Sequence, residues 1–77
     1  MGVRNLEVSY KKLWKLLIDK NMKKIDLRKA AGISEYTMGR LVRNENVYVD
    51  VLAKVCRTLD CGFDDIVEIT SKDEENM

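Results

Sequence analysis

Residues 24–42, Lys-Ile-Asp-Leu-Arg-Lys-Ala-Ala-Gly-Ile-Ser-Glu-Tyr-Thr-Met-Gly-Arg-Leu-Val, carry the architecture of this chain. Their first part, 24–31, has the pattern of a short helix with Leu27, Ala30 and Ala31 inward and Lys24, Arg28 and Lys29 outward. Gly32 follows, free to take the positive φ that reverses a chain, and Ile33 offers an apolar plug for the bend. Ser34 then stands as an N-cap with Glu35 in the first turn, opening a helix over about 35–43 whose inward side is Met38, Leu41 and Val42. The other side collects Glu35, Tyr36, Thr37, Gly39, Arg40 and Arg43, a polar surface on which Gly39 costs up to ~1 kcal/mol of helix propensity. Two helices joined through Ala31-Gly32-Ile33-Ser34 have the spacing of a helix-turn-helix, in which the second helix is left exposed.

Working outward, Ser9 is placed to cap a helix whose apolar positions Tyr10, Leu13, Trp14, Leu17 and Ile18 form one stripe, with Asn21 as its exit residue. After the turn residues Asn44-Glu45-Asn46, Val51, Leu52, Val55, Cys56 and Leu59 mark the buried side of a fourth helix over about 50–59. Cys61-Gly62 breaks it, and Phe63, Ile66, Val67 and Ile69 suggest a short fifth helix opened by Asp64 and Asp65. The expectation is an all-α fold, a compact five-helix bundle over residues 9–70. It is flanked by an N-terminal arm (1–8) and an acidic flexible tail (71–77).

Composition narrows the function. The 77 residues suit one small domain, with 45% hydrophobic and 35% charged residues, no Pro and four Gly. No apolar run is long enough for a membrane span and no signal-peptide pattern opens the chain, so a cytoplasmic protein is expected. There is no His, which removes the commonest general base and, with only Cys56 and Cys61, the usual zinc quartets. No catalytic site, no cofactor and no metal is expected. The net charge of +1 hides a division: residues 1–47 hold eleven basic and five acidic side chains, net +6, and residues 48–77 hold three and eight, net −5. A basic half suits a polyanion, because phosphate neutralisation depends on local cation density.

The stretch from about Tyr10 to Ile69 resembles the DNA-binding domain of the phage-repressor and Cro type, also called the xenobiotic-response-element family. The resemblance rests on Tyr10-Lys11-Lys12-Leu13-Trp14 with Leu17, on Leu27-Arg28-Lys29-Ala30-Ala31-Gly32-Ile33-Ser34, and on Leu52-Ala53-Lys54-Val55-Cys56-Arg57-Thr58-Leu59-Asp60-Cys61. It implies a lambda-repressor-like fold and a sequence-specific, repressor-type regulator of transcription that binds double-stranded DNA. It implies that Lys23 and Lys24 hold phosphates at the start of the second helix, with Arg43 and Asn44 doing so at the end of the third. Ser34, Glu35, Tyr36, Thr37 and Arg40 would approach base edges, Arg40 through a bidentate contact to guanine. Such domains usually act as dimers, and Phe63, Ile66, Ile69 or the N-terminal arm are the candidate contacts. Three positions depart from the pattern: Lys23 where a Ser or Thr caps the second helix, Gly39 in the third, and Tyr48 where the fourth has a small polar cap.

Other readings compete. The same fold could serve as a protein-binding module, an antitoxin or antirepressor, and a carboxylate- or Lys-based enzyme is a more distant option. Trp14 with Tyr10 at i, i+4 on an apolar stripe is core rather than a ligand pair, and Cys56 on the fourth stripe is a small hydrophobe rather than half of a redox switch. Asp64, Asp65 and Glu68 lack the spacing of a calcium loop and are assigned to the helix dipole and solubility.

Overall fold

The computed structural model describes residues 6–71; residues 1–5 of the expected arm and 72–77 of the expected tail lie outside the described residues. Four helices follow one another: α1 (Lys11–Asp19), α2 (Lys24–Ala31), α3 (Glu35–Val42) and α4 (Val49–Leu59). A short strand precedes them, β1 (Leu6–Ser9), and a single 3-10 turn (Phe63–Asp65) leads to β2 (Glu68–Ser71). The strands pair antiparallel with Leu6 opposite Ser71, Glu7 opposite Thr70, Val8 opposite Ile69 and Ser9 opposite Glu68.

This corrects the all-α, five-helix expectation: among the described residues there are four α-helices and a two-stranded sheet. The segment expected to be a fifth helix coils for one turn only, closed by the Gly62 N–H donating to Asp65 Oδ2 at 2.9 Å. Beyond it Ile66, Val67, Ile69 and Thr70 are β-branched, stiff at χ1 and suited to an extended chain, and residues 6–8 supply the partner strand. Ile66 is fully buried in the core, so it is withdrawn from the dimer surface, while Phe63 and Ile69 stay exposed.

The core is a single cluster of Tyr10, Leu13, Leu17, Leu27, Ile33, Met38, Leu41, Leu52, Val55, Cys56, Leu59 and Ile66. Each large aliphatic member contributes about 1.5–3 kcal/mol by leaving water. Three residues assigned inward lie outside it. Ile18, more than about a quarter turn from the centre of the Tyr10-Leu13-Leu17 stripe, is 76% exposed, and Ala30 and Val42 are also exposed at the rims of their helices. Trp14 is half-buried against the cluster, and the Lys24 ammonium sits 4.9 Å from the centre of its ring.

All four helices end in one device. Asn21, Gly32, Asn44 and Asp60 take left-handed backbone, with φ of 59°, 71°, 58° and 56°. The next residue's N–H then reaches back five positions: Met22 to Leu17, Ile33 to Arg28, Glu45 to Arg40 and Cys61 to Cys56, at 2.8–3.0 Å. This Schellman closure satisfies carbonyls that the helix leaves open and turns the two side chains toward each other. Asn and Asp tolerate that backbone better than other residues with a Cβ. At α2 the reversal is immediately followed by Ser34, whose Oγ accepts from the Thr37 N–H at 3.1 Å and caps α3. The helix-turn-helix is thus fixed from both sides, with Ile33 buried beneath the bend.

The other helix starts differ from the sequence reading. Ser9 ends β1, its Oγ accepting only from the Lys11 N–H at 3.3 Å, and Tyr10 occupies the cap position of α1. Lys23 has no acceptor to offer α2, yet its own N–H is held by Asp26 Oδ2 at 3.1 Å, which is the reciprocal half of a capping box. Tyr48 makes no side-chain cap to α4 and is 81% exposed. Cys56 is buried and Cys61 half-buried, both free thiols, and burial pushes Cys56 up to about 11. At neutral pH Cys56 is an uncharged packing group.

Candidate nucleic-acid interface

The outward side of α3 is built from the cap forward. Ser34, Glu35 and Tyr36 are exposed, and Thr37, Gly39 and Arg40 are partly covered. Ser34 and Thr37 already serve the helix: besides the cap, the Ser34 hydroxyl donates to Thr37 Oγ1 at 3.0 Å. Glu35 makes no hydrogen bond or ion pair with any described residue. Tyr36, 69% exposed, is drawn to Arg40 one turn on, whose NH1 donates to the Tyr36 hydroxyl at 3.3 Å and whose guanidinium lies 5.8 Å from the ring centre.

Arg40 is the most constrained of these groups. Its Nε donates to the Asn46 carbonyl at 2.8 Å, and NH1 lies 3.4 Å from Glu45 Oε1. NH2 has no partner among the described residues. Arg43 faces the same carboxylate, with Nε 2.8 Å from Glu45 Oε2 and NH2 3.4 Å from Oε1. The two contacts raise Arg43 above its usual range, first through the hydrogen bond to Glu45, and the Arg43 hydrogen bond holds the Glu45 carboxyl below the usual carboxylate value. Gly39 lies beside this cluster: a Cβ there would stand 3.2 Å from Arg43 NH1, the end of a flexible side chain.

The loop that carries Glu45 is pinned to α1. Asn44 Oδ1 accepts from the Tyr10 N–H at 3.0 Å, and the Tyr10 hydroxyl donates to the Glu45 carbonyl at 2.8 Å. Asn44 therefore spends its amide oxygen on the fold, and only its NH2 remains to donate outward. Burial raises the Tyr10 hydroxyl above its ordinary value of 10.0, against the opposing charge of Arg40. The folded state thus keeps a proton that the unfolded chain releases, so this contribution is complete below pH 10 and is lost as pH rises through the raised value. Tyr10→Phe is expected to cost about 1 kcal/mol at neutral pH and to flatten the alkaline decline in stability. Urea titrations between pH 7 and 11 measure both effects; part of the decline persists because Cys56 also titrates high.

Two clefts join these residues. One, of about 440 Å³, is lined by Tyr36, Thr37, Arg40, Asn46, Val47, Tyr48 and Val51; the other, of about 670 Å³, runs between Arg40, Arg43 and the Asn44–Asn46 loop on one side and Glu7–Ser9 with Thr70 on the other. The structure therefore brings Tyr36, Thr37 and Arg40 together, and Arg40 with Arg43 and Asn44. Lys23 and Lys24 line neither cleft; both are exposed at the start of α2. Glu45, Asn46 and Tyr48 belong to the site without having been assigned to it from sequence. The signal for Glu45 was Asn44: a left-handed residue after α3 places the next side chain against the one five positions back, which is Arg40. No group of three or more potential metal ligands occurs among the described residues, and no described helix is long and apolar enough to cross a membrane.

Comparison with known proteins agrees with this geometry. A family model for the Cro/C1-type helix-turn-helix DNA-binding domain matches residues 12–72. The crystal structure of the transcriptional regulator VanUg is similar, with 47% sequence identity and a TM-score of 0.87 over 94% of this chain and 96% of that one. No curated protein sequence matches significantly. An exposed α3 locked behind a Gly32 reversal, a match over most of the length and a closely similar fold in a transcriptional regulator lead to one conclusion: this chain belongs to the Cro/C1-type helix-turn-helix family of DNA-binding regulators.

Proposed function

We propose that the protein is a sequence-specific, repressor-type regulator that inserts α3 into the major groove of double-stranded DNA. Arg40 carries this reading. With Nε held by Asn46, NH2 is free among the described residues, and NH1, by exchanging one of its long contacts to Tyr36 and Glu45 for the base, completes the two parallel bonds that recognise guanine O6 and N7. Ser34, Glu35, Tyr36 and Thr37 complete the base-reading face, Glu35 as an acceptor for a cytosine amino group and Tyr36 against a thymine methyl. Lys23 and Lys24 anchor phosphates at the N-terminus of α2, where the helix dipole adds to their charge, and Arg43 and the Asn44 NH2 do so beyond α3. Occupying an operator in this way is sufficient to exclude another protein from it.

Two copies on a two-fold site would sit one helical turn, roughly 34–36 Å, apart. Exposed Phe63 and Ile69 are the apolar side chains offered for contact between them. Selecting duplexes from a random pool, then titrating the best against salt, tests the whole reading. A palindromic consensus is expected, with log-log salt slope growing by about −0.9 per phosphate neutralised. A pool that yields no consensus, or a slope near zero, would contradict it and favour a module that binds protein instead.

A further inference from the structure

The Glu45 carboxylate is an acidic group in the middle of a surface proposed to meet DNA, and it stands there by construction. Its backbone is held at both ends: the N–H donates to the Arg40 carbonyl at 2.8 Å and the carbonyl accepts from the Tyr10 hydroxyl at 2.8 Å. The Schellman closure of α3, with Asn44 at φ 58°, then turns its side chain against Arg40. Between Arg40 on α3 and Arg43 just past its end, that carboxylate takes two donors from Arg43 and lies 3.4 Å from Arg40 NH1. Without it, two cations would stand side by side, repelling each other and free to meet any phosphate.

Resting on the DNA-binding reading above, we propose that Glu45 is a positioning residue that sets sequence discrimination: it fixes the Arg40 fork for a base edge and, by cancelling one of the two charges of Arg40 and Arg43, keeps Arg40 from acting as a second phosphate anchor beside Arg43. Two consequences follow from the geometry. Arg40, held by Asn46 at Nε and by Glu45 and Tyr36 at NH1, needs little ordering when it meets a guanine, so correct sites lose less entropy than they would with a free arginine. Wrong sites gain only a shielded pair, with one negative charge set against two positive ones. Exposed ion pairs of this kind add little to folding stability, so removing the charge leaves a folded protein to measure.

The test is a cycle of Glu45→Gln, Arg40→Ala and the double variant, each titrated with the selected duplex and with a scrambled duplex of the same length over a range of salt. Glu45→Gln is expected to bind the scrambled duplex several-fold tighter, with a salt slope steeper by about 0.9 as the Arg40–Arg43 pair presents one more net positive charge to the phosphates. The ratio of target to scrambled affinity is expected to fall about tenfold. In the Arg40→Ala background the same Glu45→Gln change should raise both affinities together and leave the ratio where it was. An unchanged ratio in Glu45→Gln, or an equal fall with and without Arg40, would overturn the proposal while the wild type's own preference still stood. A wild type with no preference for any duplex would instead overturn the DNA reading, and the proposal with it.

Discussion

Leu41→Ala is expected to remove about 2–5 kcal/mol of stability, the largest loss available from one side chain in α3. Leu41 is fully buried and, with Met38, ties the exposed helix to the core. Its replacement deletes buried methyl groups and leaves a cavity that the surrounding core side chains fill only in part. A domain of this size holds a total stability near the low end of about 5–15 kcal/mol, so much of the fold's margin goes with it. Urea unfolding measures the effect: the midpoint should drop steeply while the slope stays the same. Val42→Ala, one residue on but half-exposed, should stay within about 0.5 kcal/mol. Equal losses at the two positions would show that α3 is not seated as described.

Arg40→Ala is the second large effect, and it falls on recognition. Losing a bidentate contact is expected to cost about 1–3 kcal/mol of discrimination at one base pair, roughly five- to 150-fold, with a smaller change on scrambled DNA. Arg40→Lys should not restore it, because an ammonium cannot present two coplanar donors while a third holds the Asn46 carbonyl. Lys24→Ala should behave in the opposite way, weakening all duplexes alike and making the salt slope shallower by about 0.9. Competition titrations against a panel of single-base-pair variants separate the two. A uniform loss for Arg40→Ala across that panel would demote it to a phosphate contact.

What could be read from the chain follows the range over which each signal acts. Leu27, Gly32, Ile33, Ser34, Met38 and Leu41 specify two helices and the bend between them through local rules, and the structure has them so placed. The pairing of β1 with β2 joins residues some sixty positions apart, and strands of four residues carry too little alternation to announce it. Phe63, Ile66, Val67 and Ile69 therefore read as a helical stripe, although the β-branched residues between Ile66 and Thr70 favour extended chain. In the candidate site, the placement of Tyr36 and Arg40 on the side of α3 away from Met38 and Leu41 was legible from helix periodicity. The clamp on Arg40 was not, because it belongs to a loop whose geometry depends on one left-handed residue, Asn44. Asn46 acts through its carbonyl alone and leaves no trace in residue type. Ser34 and Thr37 show the reverse case: read as groups for DNA, they are also the cap of their own helix, so a substitution there tests folding as well as binding.

Following the backbone amide signals of labelled protein during titration with the selected duplex tests most directly whether α3 is the surface that meets DNA. The expected result is a set of large shifts at residues 34–40, at 23–24 and at 43–48, with α1's exposed side and β2 little changed. Large shifts confined to β1, β2 and the 3-10 turn, with residues 34–40 unmoved, would contradict the account.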